Sequence, residues 1–182
     1  MGLVTLVDHG LTFVPHPWMR HSPPGRARVG GSVAAEGANR IESGPRMPGE
    51  NIDIVRRGYD AWNRGDLAGV LELVDPSFEW HEASEVPGGV HVYTREQFES
   101  YLVSLGRHWE TFRFELQELR EAGDLVVADV LELARGRASG VEVAQRFVHV
   151  WTMRDRRACR MKAYLDKDEA IREAGLGGGQ AM

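Results

Sequence analysis

Cysteine is almost missing from this chain. Cys159 is the only one in 182 residues, so no intrachain disulfide can form and no CxxC redox or zinc motif exists. A single thiol suits a reducing compartment, and a cytoplasmic location is the expectation. Long apolar runs are missing too. Nothing approaches the roughly 20 residues that cross a bilayer, so no membrane partner is expected. The opening MGLVTLVDHG is interrupted by Asp8 and His9 and has no basic segment before it, which argues against a signal peptide. Basic clusters are scarce: the net charge is −5, and a nucleic-acid surface would need grouped Lys and Arg to neutralise phosphates. There is no P-loop, no dinucleotide fingerprint and no Ser-nucleophile motif. No two histidines stand two or four residues apart, the spacing that would set both on one face as metal ligands. Neither a metal nor an organic cofactor is expected.

What is present fits a globular protein: 42% of residues are hydrophobic and 27% charged, which excludes wholesale disorder. The length suits one domain and a tail. Residues 1–46 are rich in Pro, Gly, Arg and Ser without periodicity, and they bury too little apolar surface to offset ordering entropy. They are expected to be a disordered extension, with the domain at 47–176 and a flexible tail at 177–182. Met47, directly before the first helical pattern, is expected to be the natural start.

Within the core, Asn51 to Asn63 has helical spacing, with Ile52, Val55, Tyr59 and Trp62 on one face. Gly65 then supplies a left-handed position and Asp66 caps a helix over Leu67 to Val74, which Asp75-Pro76 stops. Ser77 to Glu82 alternates, with Phe78, Trp80 and Glu82 sharing one face and Glu79 and His81 the other. Gly88-Gly89 makes a sharp turn. Thr94 and Gln97 form a capping box for a third helix that buries Phe98, Tyr101, Leu102 and Leu105 and ends near Gly106. Four strands follow, around Phe112–Leu116, Asp124–Leu133, Val141–Met153 and Cys159–Asp166. A charged hairpin turn at Arg154–Arg157 precedes the last of them, and a short helix from Asp168 to Ala174 is closed by Gly175.

Helices first and a meander later is an α+β pattern. Leu125 to Leu133 is apolar on both faces, with Val126, Ala128 and Val130 on one and Val127 and Leu131 on the other. One face can lie on the helices; the other demands a cover, and a homodimer through it is expected.

The runs Tyr59–Leu67 (YDAWNRGDL), Asp75–Trp80 (DPSFEW), His149–Asp155 (HVWTMRD) and Tyr164-Leu165-Asp166 carry a resemblance. With them the chain resembles the SnoaL-like, polyketide-cyclase-related family of the nuclear transport factor 2-like superfamily, over about residues 50–176. The resemblance implies a cone-shaped α+β barrel, a curved antiparallel sheet with three helices packed on its concave side. It also implies a small, largely apolar ligand in the cone. Relatives include isomerases, hydrolases, dehydratases, cyclases and non-catalytic binders, so the fold alone assigns no reaction.

Glu82 falls, by similarity, where ketosteroid isomerases place their carboxylate base, and a carboxyl beside Trp80 would have a raised pKa suited to proton abstraction. The two oxyanion-hole positions of those enzymes are occupied by Gly58 and Val148, which removes the donors that stabilise a dienolate. Asp129 is a second candidate, an acid among apolar neighbours and similar in place to one aspartate of limonene epoxide hydrolases. The companion positions hold Val127 and Ala163, so epoxide hydrolysis is not expected. His149 is a third, as an assisting acid–base group. Tyr59, Trp62, Phe78, Trp80, Tyr101 and Trp151 are expected as pocket wall. A small-molecule binder with cofactor-independent isomerase, cyclase or hydratase chemistry is one reading; a non-catalytic binding or dimerising module is the other.

Overall fold

The computed structural model describes residues 49–84 and 92–176. The expectations for residues 1–46 and 177–182, and the turn at Gly88-Gly89, lie outside the described residues. Three helices come early: α1 (Glu50–Asn63), α2 (Leu67–Glu72) and α3 (Arg95–His108). The strands are β1 (Val74–His81), β2 (Val92–Thr94), β3 (Trp109–Ala122), β4 (Leu125–Gly136), β5 (Glu142–Arg154) and β6 (Arg157–Tyr164), and α4 (Lys167–Glu173) follows them.

Local chemistry accounts for most of these boundaries. Gly65 takes φ 71°, and the Asp66 carboxylate accepts from Gly69 N–H at 2.9 Å to start α2. Thr94 and Gln97 make both bonds of the capping box, at 3.4 and 2.9 Å, and α3 runs past Gly106 to His108. Asp155 and Arg156, at φ 49° and 65°, form the two-residue turn between β5 and β6. Asp75-Pro76 does not stop α2, which ends at Glu72; the pair lies inside β1 instead. Proline is tolerated there because the register against β6 breaks between Val74 and Glu79, where a missing N–H costs no ladder bond.

The six strands form one sheet in the order β2-β1-β6-β5-β4-β3. It curves but does not close, and β2 and β3 remain its edges. Register breaks in β3 at Trp109/Thr111 and Leu116/Glu118 help it curve. One pairing departs from the all-antiparallel expectation: β1 runs parallel to β6. Side-chain alternation reports which face a residue takes and carries nothing about strand direction, so Phe78 and Trp80 could not reveal this.

The helices α1, α2 and α3 cover the concave face, sharing one apolar cluster with Val126, Ala128 and Val130 of β4. Two asparagines hold α1 in place. Buried Asn51 donates to Glu121 Oε1 at 2.9 Å, and Asn63 exchanges bonds of 2.8 and 2.9 Å with the Phe114 backbone. On the convex face Val127, Val148, Val150 and Tyr164 are buried with Ala170 and Ala174 of α4. That apolar surface, which suggested a second copy of the chain, is covered in part from within the chain.

Candidate active site

Between α1–α3 and the concave face lies a cavity of about 320 Å³. Five of the six expected wall residues line it: Tyr59, Trp62, Trp80, Tyr101 and Trp151. Phe78 does not. It is only 1% exposed, packed between Phe98 and Trp151 at ring-centroid distances of 5.2 and 6.4 Å, and belongs to the core beneath the cavity. Its parity matches that of Trp80, but α3 closes over its ring.

The register of β4 on β5 settles which way β5 faces. His149 pairs with Ala128, an inward residue, so Phe147, His149 and Trp151 line the cavity while Val148 and Val150 point outward. His149 Nδ1 lies 2.7 Å from Tyr59 Oη, and Trp151 Nε1 donates to the same oxygen at 3.1 Å. The Trp151 N–H and the His149 ring thus converge on one tyrosine hydroxyl, and the Tyr59–His149 bond holds the imidazole in place. Burial pushes the imidazole down to about 3. It pushes the Tyr59 hydroxyl well above its usual range, the bond from Trp151 opposing. Burial favours the neutral imidazole, which weighs against the acid–base role expected of His149.

A second polar group sits at one end of the sheet. The C-terminal ends of β1, β6 and β4 and the N-terminal ends of β5 and β3 all meet there, because β1 runs with β6 and the others alternate. Glu82 follows β1 at this end and lines the cavity. Burial raises its carboxyl to about 7, while the Tyr93 hydroxyl, donating at 3.3 Å, works the other way. Glu132 of β4 also lines the cavity, 9% exposed, opposite Gln145. Burial, and then the charge of Glu82, raise it to about 8. The Tyr101 hydroxyl is raised by burial, then by Glu132, Glu82 and Tyr93. Glu132 went unread in the sequence, although it continues the inward face of Val126, Ala128 and Val130 by one more alternation.

Asp129 is not part of this site. It lies on the convex face, bonded to Lys167 Nζ at 2.8 Å and Arg146 Nε at 3.0 Å. Burial works against its charged form, but these two cations hold its pKa below the usual value. Val127 faces outward with it while Ala163 lines the cavity, so the three positions of an epoxide-hydrolase arrangement do not share a face. His81 also points away, 3.0 Å from Glu79 Oε2. Among the described residues no three His, Cys, Asp or Glu side chains group as metal ligands would, and no Lys or Arg lines the cavity.

An open curved sheet with three helices over its concave face and a cavity between them defines the nuclear transport factor 2-like class. The SnoaL-like domain model matches residues 55–161, and the chain belongs to that family. No curated protein matches it. Among solved structures it is similar to a nuclear transport factor 2-like protein of unknown function from Burkholderia pseudomallei, at 26% identity, TM-score 0.56, covering 68% of this chain and 95% of that one. TerC co-crystallised with polyporic acid is similar at 26% identity and TM-score 0.56, covering 69% and 97%. Bal32a, from a soil-derived mobile gene cassette, is similar at 25% identity and TM-score 0.55, covering 63% and 87%.

Proposed function

We propose that this SnoaL-like domain binds a small, largely apolar molecule in its cavity and uses Glu82 as the base in cofactor-independent proton-transfer chemistry. The observation that carries the reading is a carboxyl raised to about 7, lining an aromatic-walled cavity of about 320 Å³. A base with a pKa near ambient pH combines a populated charged form with useful basicity. The similarity to TerC, which was co-crystallised with polyporic acid, agrees with a small-molecule site. An ordinary reducing compartment suits the lone Cys159.

Deuterium incorporation into β-tetralone, an apolar ketone with an acidic C–H, tests the role. The Glu82→Gln variant should bind the ketone, read by quenching of the cavity tryptophans, and lose exchange; exchange at the wild-type rate removes Glu82 from the mechanism. A non-catalytic binding module is the second reading. It is favoured by Gly58 and Val148, since Gly58 offers the cavity no side-chain donor and Val148 faces away from it. Self-association through the convex face belongs to that reading, and light scattering at micromolar concentration tests it: a monomer removes the dimer.

A further inference from the structure

Glu132 is nine-tenths buried, faces the same cavity as Glu82, and has no hydrogen-bond or ion-pair partner among the described residues. A buried carboxyl in that position is costly unless it is kept protonated or finds a partner in the cavity. Among the described residues the groups around it offer no cation. Glu82 approaches from the end of β1, Tyr101 from α3, Tyr93 from β2 and Gln145 from β5, while His149 and Tyr59 are bonded to each other deeper in. The charge of Glu82 adds to the burial of Glu132, so of the two acids Glu132 is the one that keeps its proton.

We propose that Glu132 is a second catalytic carboxyl, the proton donor to the substrate's carbonyl oxygen while Glu82 acts as base, and that the pair acts on uncharged ketones with an apolar body. This rests on the reading of Glu82 as the base. Glu82 carboxylate removes the proton from the carbon beside the carbonyl. The C–H electron pair becomes the new C=C bond, the carbonyl π pair moves to oxygen, and the Glu132 carboxylic acid delivers its proton there. The product is the enol, with the proton now on Glu82 and the charge on Glu132. Reversal, with reprotonation at the same or a conjugated carbon, restores both groups, and no co-reactant is consumed. The arrangement supplies from β4 the oxyanion donor that Gly58 and Val148 lack. Its two acids, with no Lys or Arg in the lining, disfavour anionic substrates.

Infrared spectroscopy across pH 5–9 provides a test that needs no turnover. The protonated-carboxyl band that persists above pH 7 should vanish at that pH in the folded Glu132→Gln variant, leaving the lower-titrating band of Glu82, and should titrate at lower pH in Glu82→Gln, where the neighbouring charge is gone. A band unchanged by Glu132→Gln overturns the proposal, and so does one unmoved by Glu82→Gln. Exchange into β-tetralone then separates the two residues. Glu132→Gln should bind the ketone but slow exchange by about 10- to 100-fold and flatten the alkaline fall of the pH profile. Exchange lost in Glu82→Gln alone leaves Glu82 as base and overturns the role of Glu132. Exchange absent from the wild type with β-tetralone, indanone and benzylacetone overturns both.

Discussion

Tyr59 Oη lies 2.7 Å from His149 Nδ1, joining the middle of α1 to β5 across the floor of the cavity. Both groups are buried and each satisfies the other, so truncating one strands its partner. Tyr59→Phe should cost about 1–3 kcal/mol in urea unfolding, with the Phe114 and Trp151 ring contacts retained.

The same histidine should make the fold acid-sensitive. Its folded pKa, about 3, is below the ordinary 6.5, so below pH 6.5 the unfolded chain binds a proton that the native state refuses. Stability from His149 is complete above 6.5 and is lost as pH falls toward 3. Its ring resonances in NMR should stay in the neutral position at pH 5.

Glu132 works in the opposite direction. Its folded value of about 8 exceeds the usual 4.5, so the native state holds a proton that the unfolded chain has released. Its favourable contribution is present below 4.5 and is lost as pH rises to about 8. Glu132→Gln should therefore gain stability relative to the parent across that window, by on the order of 1–3 kcal/mol at its upper end. Equal stability of the two at pH 8 would contradict the buried, unpaired placement.

Tyr93→Phe removes a hydrogen bond that lowers the Glu82 carboxyl. The acidic limb of the exchange profile should move to higher pH, with binding of β-tetralone little changed.

Asp129→Asn separates structure from function on the convex face. It removes both ion pairs, to Lys167 and Arg146, and should cost about 1–3 kcal/mol at pH 7. The difference should shrink as the parent's own aspartate protonates below pH 3.8. Deuterium exchange should be unaffected, since the residue faces away from the cavity.

The sequence disclosed the fold better than the site, for a reason visible in these residues. Caps and breaks act over three or four positions, so Thr94–Gln97, Gly65-Asp66 and Arg154–Arg157 were each legible alone. The family pattern supplied Glu82 and the aromatic walls. The orientation of His149 and the convex placement of Asp129 depended on register between β4 and β5, which no single strand encodes. Glu132 could have been found by extending the inward alternation of β4, but a glutamate in a strand reads as a solvent residue until a cavity is known to need it. The cover supplied by α4 was likewise invisible, because a seven-residue helix does not say where it docks.

The parallel pairing of β1 with β6 joins segments far apart in the chain. The meander from β3 to β6 and the β1–β2 hairpin can each form from near neighbours, whereas β1 must find a partner about 80 residues further along the chain. Contacts of that separation carry the largest loop-closure entropy and slow the approach to the native state. Glu82 stands at the end of β1 and Glu132 within the meander. The two acids are therefore brought to one end of the sheet by a sequence-distant pairing, not by either hairpin alone.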